Sequence, residues 1–188
     1  MFGERSIKLF SVFGIRVGAN PSWFIFLFLM IYWLSGYFSD ILIGSTNTLS
    51  FGIAIAATLL FFISLLLHEL GHALAARREG ISTSGIDLWL FGGVAKLSRD
   101  SNSPGEEFKV AAAGPAVTAL IVVACIAIAA VASQTTSVID TATFSGISTS
   151  PFTALIGWLA MVNVALLIFN LVPAFPLDGG RFARAIAW

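Results

Sequence analysis

Four long stretches of this chain are almost unbroken runs of apolar residues, at about 21–38, 49–76, 109–133 and 151–171. Each is close to the roughly 20 residues that an α-helix needs to cross a bilayer, so the pattern predicts four transmembrane helices. A different pattern fills 81–98. Apolar and polar residues alternate through Gly85-Ile86-Asp87-Leu88-Trp89-Leu90, and β-formers follow Gly92-Gly93. Two short strands with a tight turn or bulge at the glycines are expected there. The expected fold class is an all-α polytopic membrane protein of about four transmembrane helices. A small interfacial β-hairpin or sheet lies between the second and third spans. The whole of 1–188 reads as a single membrane-embedded core, with no internal repeat and no low-complexity linker.

Local signals refine the boundaries. Ser103-Pro104-Gly105-Glu106 reads as a helix start, with Ser103 as N-cap, Pro104 at the first helical position and Glu106 at the third. Gly114-Pro115 falls early in that helix, where a kink or a close helix contact is expected, for packing rather than chemistry. The fourth span runs into Asn170-Leu171-Val172-Pro173-Ala174-Phe175-Pro176-Leu177-Asp178-Gly179-Gly180. Two prolines three residues apart cannot continue a regular helix. Broken backbone at membrane depth is tolerated only when it is buried in protein or lines a cavity.

Composition agrees with a lipid solvent. The 188 residues are 57% hydrophobic and 11% charged, against about 25% charged in soluble domains, and mean hydropathy is +0.93. Formal net charge is zero and no basic tract is present, so nothing points to nucleic acid. The single cysteine, Cys125, sits in a bland apolar run and reads as a packing residue. A cleavable signal peptide is not expected, because the first apolar run begins late and lacks a small-residue cleavage site. Charge also orients the chain. Arg5, Lys8 and Arg16 precede the first span, and Arg77, Arg78, Lys96, Arg99 and Lys109 lie between or flank the second and third. Arg181 and Arg184 follow the fourth. Every basic residue falls on one side of a four-span arrangement, which the positive-inside rule makes cytoplasmic. A multi-pass protein of the cell membrane with both termini in the cytoplasm is expected.

The chemistry concentrates in the second span. The only two histidines are His68 and His72, with Glu69 directly after the first. On a helix, residues four apart lie one turn apart on one face, so both imidazoles can grip one metal ion. Glu69 lies about 100° around the helix from His68, able to reach a water on that metal without being a ligand. This is the H-E-x-x-H zinc-hydrolase pattern, set in an apolar run where ionisable side chains are costly and usually functional. His72 is five residues from Arg77, or about 7–8 Å along a helix, which places the histidines just inside the cytoplasmic edge of the hydrocarbon. A catalytic zinc usually takes three protein ligands. Cys125 is misplaced and no further histidine exists, so the third must be a carboxylate. Asp178 is the one at matching side and depth, with a helix cap or turn residue as its plainer alternative. Glu69 would then be general base and acid, against an ion-paired helix residue, although no basic partner lies within a turn. Asn170 could bind substrate backbone or steady an oxyanion, or bridge broken backbone. The 81–98 element could be an ordinary interfacial hairpin, or an exposed strand edge that pairs with an extended peptide. Rival readings of the whole are a metal-binding membrane transporter and a non-catalytic membrane scaffold.

These residues resemble the site-2 protease family of intramembrane zinc metalloproteases. Three blocks match in order and rough spacing: His68-Glu69-Leu70-Gly71-His72, Phe91-Gly92-Gly93-Val94-Ala95, and Asn170-x-x-Pro173-x-x-Pro176-Leu177-Asp178-Gly179-Gly180. The resemblance implies His68, His72 and Asp178 as ligands of one Zn2+ per chain and Glu69 as the catalytic acid/base. It also implies substrate-holding roles for Asn170 and for Phe91, Gly92 and Gly93. The implied activity is hydrolysis of a peptide bond within transmembrane segments of substrate proteins near the cytoplasmic face, with the bilayer and a membrane-protein substrate as partners. Oligomeric state is not implied. Phe13-Gly14-Ile15-Arg16-Val17 is similar to the bacterial and archaeal branch that often carries C-terminal CBS domains. Two departures stand out. Thr118 occupies a place where members often have Asn. The chain also reaches Trp188 within an apparent helix beginning at Arg181, without further spans or CBS domains, as expected of a truncated core or a short form.

Overall fold

The computed structural model describes residues 6–89, 92–132, 135–143 and 150–188. In chain order the elements are β1 (Ile7–Val12), β2 (Ile15–Ala19), α1 (Pro21–Ile41), α2 (Asn47–Arg78), β3 (Thr83–Trp89) and β4 (Gly92–Leu97). They are followed by α3 (Pro104–Val131), α4 (Thr135–Ala142), α5 (Pro151–Leu171) and α6 (Asp178–Ala187). Four of the helices, α1, α2, α3 and α5, are long and apolar enough to cross a membrane, as the four apolar runs led one to expect. Leu90 and Phe91 of the expected β element, and Ser133 at the end of the expected third span, lie outside the described residues.

The chain divides into two compact units. One comprises Leu27–Ser64 and Ala119–Leu166. Its core is apolar and aromatic: Leu34, Phe38, Leu42, Ile53, Ala54, Ala57, Ala154 and Trp158 form one buried cluster. Trp158 meets Phe38 and Phe61 edge-on, with ring centroids 6.5 and 6.4 Å apart. Cys125 joins a second cluster with Ala129, Val138, Ile156, Leu159 and Ala160, which is the packing role its surroundings indicated. Lipid solvates apolar side chains as well as a protein core does, so such clusters hold by dispersion and fit. One polar contact ties α5 to α2, where buried Asn163 donates from Nδ2 to Ser64 Oγ at 3.3 Å.

The other unit comprises Met1–Phe26, Leu65–Thr118 and Leu167–Trp188. Among the described residues it contains a four-stranded sheet in the order β1-β2-β3-β4. The hairpin expected between the second and third spans is there as β3 and β4, paired antiparallel from Thr83↔Leu97 to Trp89↔Gly92, but Gly92 and Gly93 lie inside β4, paired with Trp89 and Leu88, rather than at a turn. The sheet is larger than that hairpin. β1 and β2, which precede the first span, form a second antiparallel hairpin, turning at Phe13 and Gly14, both with positive φ. That pair of positive values suits a tight two-residue turn. β2 pairs parallel with β3, Arg16 opposite Gly85 and Ala19 opposite Leu88. Parallel neighbours need a long crossover, and here it is residues 20–82, which include α1 and α2. Alternation through Ile7-Lys8-Leu9 and Ile15-Arg16-Val17 was a strand signal. Its partner lies about seventy residues away, beyond any local pattern.

Charges cross the sheet. Asp87 of β3 is ion-paired with Lys96 of β4 and lies 3.9 Å from Arg16 of β2. Burial works to raise the Asp87 pKa, but the hydrogen bonds from Lys96 and Ser6 and the charges of Lys96 and Arg16 outweigh it and depress the carboxyl. A depressed carboxyl lends the sheet stability above its ordinary pKa, and that contribution is lost as pH falls through the folded value. The start of α3 is capped as expected: Ser103 Oγ accepts the Glu106 N–H at 3.2 Å.

Candidate metal centre

His68 and His72 stand one turn apart on α2, both buried, with ring centroids 4.8 Å apart and planes at 80°. Asp178, the first residue of α6, reaches the same spot from the far end of the sequence. The three facing atoms form an equal-sided triangle. His68 Nε2 to His72 Nε2, His68 Nε2 to Asp178 Oδ2 and His72 Nε2 to Asp178 Oδ2 are each 3.1 Å.

The other ring nitrogens explain why the Nε2 atoms meet. His72 Nδ1–H donates to the Val110 carbonyl at 2.7 Å; a carbonyl can only accept, so Nδ1 must carry the proton. Thr118 Oγ1 donates to the Gly114 carbonyl at 3.3 Å and therefore accepts from His68 Nδ1–H at 2.9 Å. Once Nδ1 is protonated in a neutral imidazole, Nε2 holds the lone pair. Metal-ligating histidines are held by such outer partners. Val110, Thr118 and the Gly114 that receives the Thr118 hydroxyl lie on α3, a stripe of successive i, i+4 positions.

Gly114 sits at the middle of that stripe. A Cβ there would collide with His72 Nε2 and come within 2.8 Å of His68 Nε2. The space a side chain would fill is the space the imidazoles converge on. Gly71 permits the same approach from α2, since a Cβ there would be 2.8 Å from the Ala113 carbonyl oxygen. The expected close helix contact at Gly114-Pro115 is present, and it lies against the histidines rather than serving packing alone.

The donor set fits a zinc ion. Ligand atoms placed tetrahedrally about 2.0–2.1 Å from zinc stand roughly 3.3–3.4 Å apart, close to the three 3.1 Å edges. Two lone pairs and a carboxylate oxygen at that separation repel one another unless protons or a cation stand among them.

Glu69 is half-buried on the same turn of α2. Strand β4 lies against it. A Cβ on Gly93 would fall 2.5 Å from Glu69 Cγ and 3.3 Å from its Oε1, and the Glu69 carboxylate accepts the Ala95 backbone N–H. The structure thus gathers His68, His72, Asp178, Glu69 and Gly93. Gly92 opens β4 with φ of 144°, a conformation that side chains rarely adopt. Asn170 is half-buried in the last turn of α5, ahead of the exposed stretch 171–176. Phe91 lies outside the described residues. Val110, Gly114 and Thr118 belong to no motif that marks them as site residues in the sequence. The i, i+4 spacing of the three was the available signal, but it needed α3 to be known as the facing helix.

A four-span membrane fold with a His, His, Asp cluster beside a glutamate defines a metalloprotease-like class. The sequence profile of peptidase family M50 matches residues 56–188, and the chain belongs to that family. It is 38% identical over 192 aligned residues to sll0528 of Synechocystis sp., named as a zinc metalloprotease, covering all of this chain and 45% of the relative. Zinc metalloprotease MJ0392 of Methanocaldococcus jannaschii is 32% identical over 182 residues, covering 96% of this chain and 45% of the relative. Among solved structures, the site-2 protease from Methanocaldococcus jannaschii matches with a TM-score of 0.63 at 28% identity, covering 97% of this chain and 72% of that one. The chain therefore spans less than half the length of these two curated relatives.

The α3 stripe gives a graded test. Gly114→Ala places a methyl among the ligand atoms and should abolish stoichiometric zinc, measured by elemental analysis of protein shown to be folded by circular dichroism. Thr118→Val keeps the shape but removes the acceptor for His68 Nδ1–H, and should weaken zinc about 10–100-fold in chelator competition. Unchanged affinity in both would remove α3 from the account of the site.

Proposed function

We propose that this chain is the membrane-embedded core of a zinc metalloprotease that cleaves transmembrane segments of other proteins near the cytoplasmic face. The observation that carries this reading is the buried triangle of His68, His72 and Asp178 with Glu69 one residue away on α2. Held by those three side chains, zinc would supply Lewis acidity, which acidifies water and polarises a peptide carbonyl.

The chain's own residues supply the rest. Glu69 takes the proton from the attacking water and delivers it to the departing amine. A helical substrate hides its carbonyls in i to i−4 hydrogen bonds, so it must unwind before water can attack. Strand β4 is at the edge of the described sheet and crosses Glu69 at Gly93, where a paired extended segment would lie beside the reacting groups. Gly92 and Gly93 allow close approach, and Phe91, next to them in the sequence, is assigned to substrate holding with them. Asn170 binds the substrate backbone from the end of α5. All ten Lys and Arg residues fall in the unit that contains the site, which supports a cytoplasmic placement of that unit and of both termini.

Glu69→Gln should lower the cleavage rate about 10²–10⁴-fold with zinc content unchanged, in a reconstituted assay on a transmembrane substrate. Cleavage at the wild-type rate would sink the mechanism. Val94→Pro removes an N–H from β4 and should reduce cleavage at constant zinc content; equal activity would discard the strand-pairing step. A cysteine at exposed Asn102, between β4 and α3, should react with a membrane-impermeant thiol reagent only after cells are permeabilised. Labelling in intact cells would reverse the orientation.

A further inference from the structure

Asp178 is held in place by more than its own loop. It opens α6, a ten-residue helix whose N-cap, Leu177, makes no side-chain cap hydrogen bond. Isolated helices of that length are marginal. Residues 171–176 just before it are exposed, and Asp178 itself faces the histidines rather than capping its own helix.

Two contacts reach α6 from the first turns of α3. Glu107 is fully buried, with 0% exposure. Its Oε1 accepts from Arg181 Nε at 2.9 Å and from Arg184 Nη2 at 2.7 Å. Beside it, Phe108 meets Phe182 edge-on, with centroids 5.3 Å apart. A buried carboxylate is tolerated only when paired, and removing its partner is strongly destabilising. Arg181 lies one turn after Asp178, and Arg184 about one turn further, so both ion pairs act on the body of the short helix that Asp178 begins. Beneath its first turn the backbone is equally constrained. A Cβ on Gly179 would strike the carbonyl oxygens of Leu171 and Val172, and one on Gly180 would fall 2.8 Å from the Ala174 carbonyl.

We propose that Glu107 is a positioning residue for the metal centre: by clamping Arg181 and Arg184, it fixes α6 so that Asp178 stands at the third corner of the triangle. The inference rests on the zinc-site reading above and deepens it. α3 then performs both alignments. Its first turns set the carboxylate, and the stripe at 110, 114 and 118 sets the imidazoles. Glu107 touches none of the reacting atoms, so its removal acts on metal affinity through the placement of Asp178.

The test is zinc affinity by chelator competition on the full chain in detergent, with thermal unfolding measured in parallel. Glu107→Gln and Arg181→Ala should each raise the zinc dissociation constant about tenfold or more, as loss of outer support for a metal ligand does. Arg181 is partly exposed, so Arg181→Ala covers the case in which the buried substitution fails to fold. Leu34→Ala, in the apolar cluster of the other unit, serves as a destabilised control. Zinc affinity within twofold of wild type in both variants would overturn the proposal. So would a loss no greater than that of Leu34→Ala at the same loss of Tm. A wild-type chain that binds no zinc would remove the zinc-site reading and this inference with it, whereas zinc-binding wild type with unaffected variants would remove the inference alone.

Discussion

Two hydrogen bonds on the outer side of the histidines carry the site. Imidazole has two nitrogens, and commitment of one decides what the other can do. Val110 offers a carbonyl to His72 and Thr118 a hydroxyl to His68, so both Nε2 atoms turn inward, toward each other and Asp178. Without those acceptors the rings could rotate or exchange tautomers, and the equal 3.1 Å edges would have nothing to maintain them. Gly114 completes the constraint, because only a residue without a side chain leaves room for the rings to converge.

The remaining parts of this unit can be understood as support for that convergence. α3 meets α2 closely at Gly71 and Ala113, which brings the stripe within hydrogen-bonding reach of the rings. β4 lies across Glu69 at Gly93 and Ala95. The sheet that carries β4 is tied together by Asp87, Lys96 and Arg16. The unit is rich in polar contacts where the other unit is built mainly of apolar clusters. The difference follows from solvent. Polar groups taken out of water must be satisfied within the protein, so they gather where they can satisfy one another.

Glu107 shows how residues of one chemical type can be sorted differently by sequence and by structure. Along the chain it is one of two adjacent glutamates at a helix start, where acidic residues are common because they suit the helix dipole. In the fold Glu106 meets Arg99 near the surface at 3.3 Å, while Glu107 is buried beneath two arginines from α6. Neighbours on a helix point about 100° apart, and that rotation alone separates a surface charge from an interior clamp.

Much was legible in the sequence because it depends on residues close together in the chain. Run length and composition determined the four apolar helices and their lipid solvent. The i, i+4 spacing determined that His68 and His72 share a face, with Glu69 beside it. The Ser103-Pro104-Glu106 pattern determined where α3 begins. Asp178 could be matched to the histidines because few carboxylates remained at that side and depth. Tertiary structure alone decided the parallel pairing of β2 with β3, the meeting of the 110, 114 and 118 stripe with the imidazoles, and the burial of Glu107 under Arg181 and Arg184. Each joins segments some forty to seventy-five residues apart. Local periodicity tells which face of an element is special; which neighbour that face meets is settled only when the elements pack.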